Sequence, residues 1–119
     1  MLLPLLAFAL FQQVKPPSPD SDTGAYLVKN CKALLRVADK ADSDVDTVEA
    51  QECLGFLDGF VGGFNFFGPR ICVMGSTKGT VARVYIAYMD KNPKYYDRPP
   101  AVGLAFALAD AYACPTPAK

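Results

Sequence analysis

Residues 25–39 read AYLVKNCKALLRVAD, a stretch in which apolar side chains recur on one side of a helix. The recurring positions are Leu27, Cys31, Leu34, Leu35 and Ala38. This periodicity is that of an amphipathic α-helix that buries one face against a core. A single helix cannot bury its apolar face alone, so the surrounding sequence must supply partner helices.

The next apolar stretch follows an acidic, polar run, KADSDVDT, at residues 40–47. Thr47 is a candidate N-cap, and the predicted second helix begins near Val48. Its apolar face consists of Cys53, Leu57, Phe60, Val61 and Phe64. Because the intervening run is short, we expect the first two helices to form an antiparallel hairpin.

A third helix is predicted after Ser76 or Thr77, either of which would cap it. Its apolar stripe is Val81, Val84, Tyr85, Tyr88 and Met89. The helix should end at Asn92, because Pro93 disfavours helical geometry in the residue before it.

A fourth helix is predicted to start at the segment Arg98-Pro99-Pro100, since the missing N–H of proline is harmless in a first helical turn. It runs from Ala101 to Ala113 and carries Leu104, Ala105, Leu108 and Tyr112 on one side. The sequence therefore predicts an all-α fold, a small bundle of four main helices arranged as two hairpins.

The chain has four cysteines, Cys31, Cys53, Cys72 and Cys114, and no histidine. Their spacing is too wide for the paired C-x-x-C geometry of zinc ribbons, so disulfides are the better interpretation. Four cysteines can form disulfides in three combinations. In the first hairpin, Cys31 and Cys53 lie at similar heights along the two antiparallel helices, which favours their pairing. Cys72 and Cys114 then meet at the open end of the second hairpin, completing two disulfides.

Composition argues against several functions. Twelve basic residues balance twelve acidic ones among 119, and no basic cluster occurs, so no nucleic-acid partner is expected. The absence of histidine removes the commonest general base and metal ligand. We therefore expect no enzyme, no catalytic residues, no cofactor and no metal.

The three aspartates Asp42, Asp44 and Asp46 mimic the spacing of calcium ligands in an EF-hand loop. The central glycine and closing glutamate of such a loop are missing, which favours a solvent-exposed run of charged residues.

The chain opens with an uncharged apolar run from Leu2 to Phe11, the length of a signal-peptide core and too short for a stable membrane span. The predicted organisation is a signal peptide at 1–13, a proline-rich linker at 14–23, a helical domain at 24–114 and a short tail at 115–119. The alternative for residues 2–11 is a docked apolar helix. Export and an even cysteine count place the protein in the periplasm or outside the cell.

Three glycines, Gly55, Gly59 and Gly63, form a bare ridge along the second helix. Glycine is unfavourable inside a helix, so a gain in packing is expected. Close helix packing inside the bundle is the favoured interpretation, and a self-association face that would form a homodimer is the alternative.

Two segments are candidates for contact with a protein partner. The first follows the second helix, where aromatic and basic residues of the kind that dominate interface hot spots stand beside turn residues: Asn65, Phe66, Phe67 and Arg70. Burial of the two phenylalanines at the end of the bundle is the alternative. The second is the patch with Tyr95 and Tyr96 between the third and fourth helices.

The stretch ECLGFLDGF at residues 52–60 resembles the C-L-G-[YF]-L-x-G signature of the Tai/Rap immunity proteins of type VI secretion. Later pieces match in order: Cys72, Val84–Met89, Asn92-Pro93, Pro100–Leu108 and Tyr112-Ala113-Cys114. The similarity spans residues 24–114, although Val73-Met74 replaces a proline usual in the family. The resemblance implies a periplasmic helical protein that binds and blocks a peptidoglycan-cleaving amidase.

Two functions follow as hypotheses. The leading one is an inhibitor of the immunity type that occludes the active site of a peptidoglycan hydrolase effector with a loop. The alternative is a structural or chaperone-like periplasmic protein that acts through self-association or by binding other exported chains.

Overall fold

A computed structural model describes residues 19–40, 44–67, 71–73 and 75–115. The predicted signal peptide, most of the predicted linker and residues 116–119 of the tail lie outside the described residues. The proposed domain boundaries therefore stay predictions.

Four α-helices make up the described fold: α1 at Gly24–Ala38, α2 at Asp44–Phe67, α3 at Lys78–Lys91 and α4 at Pro100–Ala111. Short 3-10 turns precede α1 at Pro19–Asp22 and α4 at Pro93–Tyr95. The described residues contain no strand, only an isolated antiparallel bridge between Ile71 and Ala113. The predicted all-α bundle of four helices is confirmed. None of the described helices has the length and apolar character that crossing a membrane would require.

Local signals set most helix ends. The Thr23 hydroxyl accepts the N–H of Tyr26 at 3.3 Å and caps α1. The Thr77 hydroxyl accepts the N–H of Thr80 at 3.1 Å and caps α3, in agreement with the predicted cap. Each threonine supplies an oxygen to a backbone donor that has no partner inside the helix.

The start of α2 differs from the prediction. The helix begins at Asp44, so Thr47 lies inside it and the prediction that Thr47 caps it was wrong. The guanidinium of Arg36 at the end of α1 donates to both carboxylate oxygens of Asp46, at 2.8 and 3.0 Å. Carboxylates in a first turn also interact favourably with the helix dipole. These contacts extend α2 into the acidic run.

The core forms around α1, which packs against each of the other three helices. Its buried face includes Leu27, Val28, Cys31 and Leu34. The largest completely buried apolar side chains come from α3 and α4: Tyr85, Met89, Leu104 and Leu108. The two predicted hairpins, α1 with α2 and α3 with α4, thus share one core.

Both predicted disulfides are present. Cys31 pairs with Cys53 across α1 and α2, and Cys72 pairs with Cys114, with Cα atoms 5.1 and 5.0 Å apart. A backbone hydrogen bond of 2.9 Å from the N–H of Cys72 to the carbonyl of Tyr112 supports the second bridge. The chain-entropy model assigns about 3 and 4 kcal/mol to loops of these lengths.

The two disulfides should differ in access to reductant. Cys31 and Cys53 are 0% exposed, whereas Cys72 is on the surface. Because a thiolate must reach the sulfur it attacks, limited reduction of the folded protein should open Cys72–Cys114 first. Alkylation followed by mass spectrometry would show the order, with a urea-unfolded sample as the control in which the preference disappears. Release of Cys31 and Cys53 first would contradict this assignment.

The glycine ridge does not contact the other described helices. A Cβ placed on Gly55, Gly59 or Gly63 finds no atom within 4 Å apart from the neighbouring residues and backbone of its own helix. Because Cys53 and Leu57 take the face of α2 that is buried against α1, the ridge is left without a close neighbour in the described structure. The expected close packing of these glycines inside the bundle is not seen there. The close approaches occur instead at Gly24 and Gly103.

Two glycine substitutions should therefore have opposite effects. Gly59→Ala should raise the free energy of unfolding by about 1 kcal/mol, because alanine favours a helix and the added methyl meets open space. Gly103→Ala should lower it by about 1–3 kcal/mol, since the Cβ would lie 2.5 Å from the buried Met89 sulfur. Urea unfolding followed by circular dichroism measures both. Equal changes of the same sign would refute the packing described here.

Candidate partner-binding surface

The segment that joins α3 to α4 is fixed to the start of α1. The N–H groups of Gly24 and Ala25 donate to the carbonyls of Arg98 and Tyr96 at 2.8 and 3.0 Å. The buried Tyr85 hydroxyl faces the carbonyl of Gly24 at 3.4 Å, and burial raises the pKa of Tyr85. The first donors of α1, which lack partners inside the helix, are satisfied by this segment. The connection is thus rigidly attached to the core.

Close backbone approach makes this attachment possible only with glycine at position 24. A Cβ there would lie 2.5 Å from the carbonyl oxygen of Tyr95. The 3-10 turn itself is closed by the N–H of Tyr95 donating to the carbonyl of Asn92 at 3.1 Å. Together these contacts hold Tyr95 in one position.

Three aromatic rings stack on the outside of this connection. The centroid of the Tyr95 ring lies 6.2 Å from that of Tyr88 and 5.5 Å from that of Phe106, with interplanar angles of 14° and 19°. Phe106 is 51% exposed, and the two tyrosines are half-buried. We call these three residues the aromatic surface. Its rings are held by one another and by the bundle beneath.

Basic groups and clefts border the aromatic surface. The Nζ atom of Lys94 lies 5.2 Å from the centroid of the Tyr95 ring. An open cleft of about 510 Å³ is lined by Lys94, Tyr95, Arg98, Pro99 and Val102. A second, of about 230 Å³, includes Tyr88, Lys91 and Asp110 in its lining. Aromatic rings beside an arginine are typical of the central contacts in protein interfaces, whereas lysine is depleted there.

The structure separates the two tyrosines that the sequence grouped together. Tyr95 belongs to the aromatic surface, whereas the hydroxyl of Tyr96 donates to a carboxylate oxygen of Asp90 at 3.1 Å. Partial burial, followed by this hydrogen bond, raises the pKa of Tyr96. Tyr96 is therefore hydrogen-bonded to a residue of α3, and its role in binding a partner stays a prediction.

Three residues of the other predicted contact segment, Asn65, Phe66 and Phe67, belong to the last turn of α2, so the prediction that they form a loop after the helix was wrong. The side-chain oxygen of Asn65 accepts the N–H of Ile71 at 2.9 Å, which ties the end of α2 to the chain that follows. The side chains of Phe66 and Phe67, and all of Arg70, lie outside the described residues. Their predicted contacts remain untested predictions.

Sequence reasoning missed two members of the aromatic surface. Tyr88 fitted the predicted buried stripe of α3, so it was not considered a contact residue. Phe106 lies off the buried face of α4, which is formed by Gly103, Leu104, Ala107 and Leu108. A large apolar residue off the buried face of a helix is the signal that would have identified it.

Residues 19–40, 44–67, 71–73 and 75–115 contain no group of three or more cysteine, aspartate or glutamate side chains placed to hold a metal ion. Of the acidic run that mimics a calcium loop, Asp44 and Asp46 lie in the first turn of α2. Asp42 lies outside the described residues.

The sequence model of the Rap1a immunity proteins matches residues 23–114, which is most of the chain. The protein belongs to the Rap1a immunity protein family. The matched region contains the four helices, both disulfides and the aromatic surface of this family member. The resemblance to the Tai/Rap immunity proteins is thereby confirmed. Searches of curated proteins and of solved structures give no significant match.

Proposed function

We propose that this Rap1a family member is a periplasmic immunity protein of type VI secretion that binds and inhibits a peptidoglycan-cleaving amidase. The family match over residues 23–114 is the observation that carries the proposal. The two disulfides support it, because they suit an oxidising compartment such as the periplasm. In this role the protein is an inhibitor and has no catalytic activity of its own.

The aromatic surface is our candidate for the main contact with the toxin. Its rings are already ordered by stacking, so binding would require little loss of side-chain freedom. Phe106 is 51% exposed, so covering the rest of its side chain contributes about half of the 1.5–3 kcal/mol expected for a whole buried phenylalanine, or about 1 kcal/mol. Lys94 and Arg98 beside the rings favour a toxin whose surface places acidic groups around an apolar pocket.

The proposal is tested by purifying the oxidised, tagged chain from an envelope extract of its own organism. The expected result is one bound peptidoglycan hydrolase at near-equal stoichiometry, whose activity on isolated peptidoglycan falls when the chain is added. Capture of many unrelated proteins, or of a hydrolase that keeps full activity when bound, would contradict inhibition.

Removing the exposed aromatic ring should weaken toxin binding. Phe106→Ala should raise the Kd for the captured hydrolase by about thirtyfold, the size of effect expected for an interface hot spot. Val48→Ala is a matched control, because Val48 is also a strongly exposed apolar residue but lies on α2. Isothermal titration calorimetry measures both variants. Unchanged affinity for Phe106→Ala would exclude the aromatic surface as the main contact and leave the inhibitor proposal intact.

Self-association or chaperone-like binding is a second candidate function, favoured by the glycine ridge of α2. The ridge has no described neighbour within 4 Å, so another backbone has room to approach it. If the ridge is used, light scattering should show a concentration-dependent dimer that Gly59→Leu abolishes and Gly79→Leu does not. A strictly monomeric protein that also fails to prevent aggregation of an unfolded client would exclude this function.

A further inference from the structure

An acidic cavity of about 400 Å³ opens between the first 3-10 turn, α1, α2 and the start of α4. Residues from all four elements line it: Ser21, Asp22, Tyr26, Leu27, Asn30, Glu52, Phe56, Pro99, Pro100 and Ala101. None of the three aromatic-surface residues is among them. The cavity is therefore a second candidate site, which adjoins the cleft beside the aromatic surface through Pro99.

The carboxylate of Glu52 is held in place by two donors from α1. The hydroxyl of Tyr26 donates to Oε2 at 2.7 Å, and the side-chain amide of Asn30 donates to the same oxygen at 3.0 Å. The hydrogen bond to Glu52 is the main cause that raises the pKa of Tyr26. Neither bond uses Oε1. The carboxylate is thus oriented by one oxygen and can accept a further donor with the other.

Asn30 is an independent sign that the cavity receives a polar group. It is the one buried polar side chain among the described residues, with 2% exposure. Its Oδ1 atom has no hydrogen-bond partner in the described structure. Buried acceptors in folded proteins are nearly always satisfied, and a water molecule, an ion or a ligand at the cavity can supply a donor that the chain does not.

The charge of the cavity identifies the kind of donor. Two of the ten lining residues, Asp22 and Glu52, are acidic, and none is basic. The Nζ atom of Lys29 lies 5.4 Å from the centroid of the Tyr26 ring and 3.3 Å from Oε1 of Glu49. Lys29 does not line the cavity. Both carboxylates belong to exposed residues at the opening of the cavity, so their negative charge favours a cation from outside the chain.

The walls of the cavity suit a long side chain with a cationic end. Leu27, Phe56 and two prolines provide apolar surface for methylene groups, and the rings of Tyr26 and Phe56 attract cations. An isolated metal ion would make no use of these apolar walls. Lysine and arginine combine an apolar stem with a charged head in the way that the cavity demands.

We propose that this cavity binds a lysine or arginine side chain of the toxin, with Glu52 as its anionic partner. Tyr26 and Asn30 act as positioning residues that orient the carboxylate. The identity of the occupant rests on the proposed inhibitor function, whereas the preference of the cavity for a cation is a property of this chain alone. The toxin would thus be contacted at two places, the aromatic surface and this cavity.

The cavity is tested first without any toxin. The full chain, labelled with nitrogen-15, is titrated with N-acetyl-arginine amide and N-acetyl-lysine amide while amide signals are recorded by NMR. We expect saturable shifts at Tyr26, Asn30, Glu52 and Ala101. N-acetyl-citrulline amide has nearly the shape of the arginine probe and no charge. Its affinity for the cavity should therefore be lower by a factor of about ten or more.

Two substitutions show whether the Glu52 charge is responsible. Glu52→Gln should weaken binding of the arginine probe about tenfold while keeping an acceptor for Tyr26 and Asn30. Asp58→Asn removes the same charge from an exposed position on α2 outside the cavity and should leave binding unchanged. Tyr26→Phe, which leaves the carboxylate less firmly held, should have an intermediate effect. Absent shifts, equal binding of the citrulline probe, or normal binding by Glu52→Gln would each overturn the proposal.

The captured hydrolase separates the two proposals. Weaker binding by Glu52→Gln than by Asp58→Asn, with the difference shrinking at high salt, supports the cavity as a toxin contact. If Glu52→Gln binds and inhibits the hydrolase like the wild type, the cavity proposal fails and the inhibitor function stands. If the cationic probes bind as expected but no hydrolase is captured, the inhibitor function fails and the assignment of the toxin as occupant falls with it.

Discussion

The junction between the start of α1 and the segment that joins α3 to α4 connects all the main features of this protein. Two backbone hydrogen bonds, from Gly24 and Ala25 to the carbonyls of Arg98 and Tyr96, form it. These bonds give partners to the N–H groups of Gly24 and Ala25, the first two backbone donors of α1, which have none inside the helix. Because α1 packs against each of the other described α-helices, the junction attaches the connection between α3 and α4 to the central helix of the bundle.

The same junction lies beside both surfaces that we propose as contacts with a toxin. The aromatic surface lies on the outer side of the connection that the junction holds, and the acidic cavity includes the prolines that follow it. In a flexible loop these residues would have to become ordered when a partner binds. Here the core and two disulfides have already ordered them, so a larger share of the contact energy remains for affinity.

Both candidate contact sites are formed by residues of different helices. The stack joins Phe106 of α4 to Tyr88 of α3 through Tyr95. The cavity joins Tyr26 and Asn30 of α1 to Glu52 of α2. Glu52 directly precedes the signature that begins at Cys53, so a specific contact lies beside the stretch through which the chain resembles its family. The proposal that these groups contact a toxin rests on how they pack together and not on the signature itself.

The sequence by itself determined the class of fold, the four helices and both disulfides, because each depends on local periodicity, caps and short connections. Helix ends were predictable where one residue decides them, as at Thr77 and Pro93. Only the tertiary structure decided that α2 begins at Asp44, since the ion pair with Arg36 forms across the hairpin. It also decided that Tyr95 stacks between Tyr88 and Phe106 while the hydroxyl of Tyr96 donates to Asp90, and that the glycine ridge has no close neighbour outside its own helix in the described structure. These outcomes depend on which helix faces meet, and side-chain periodicity does not specify that.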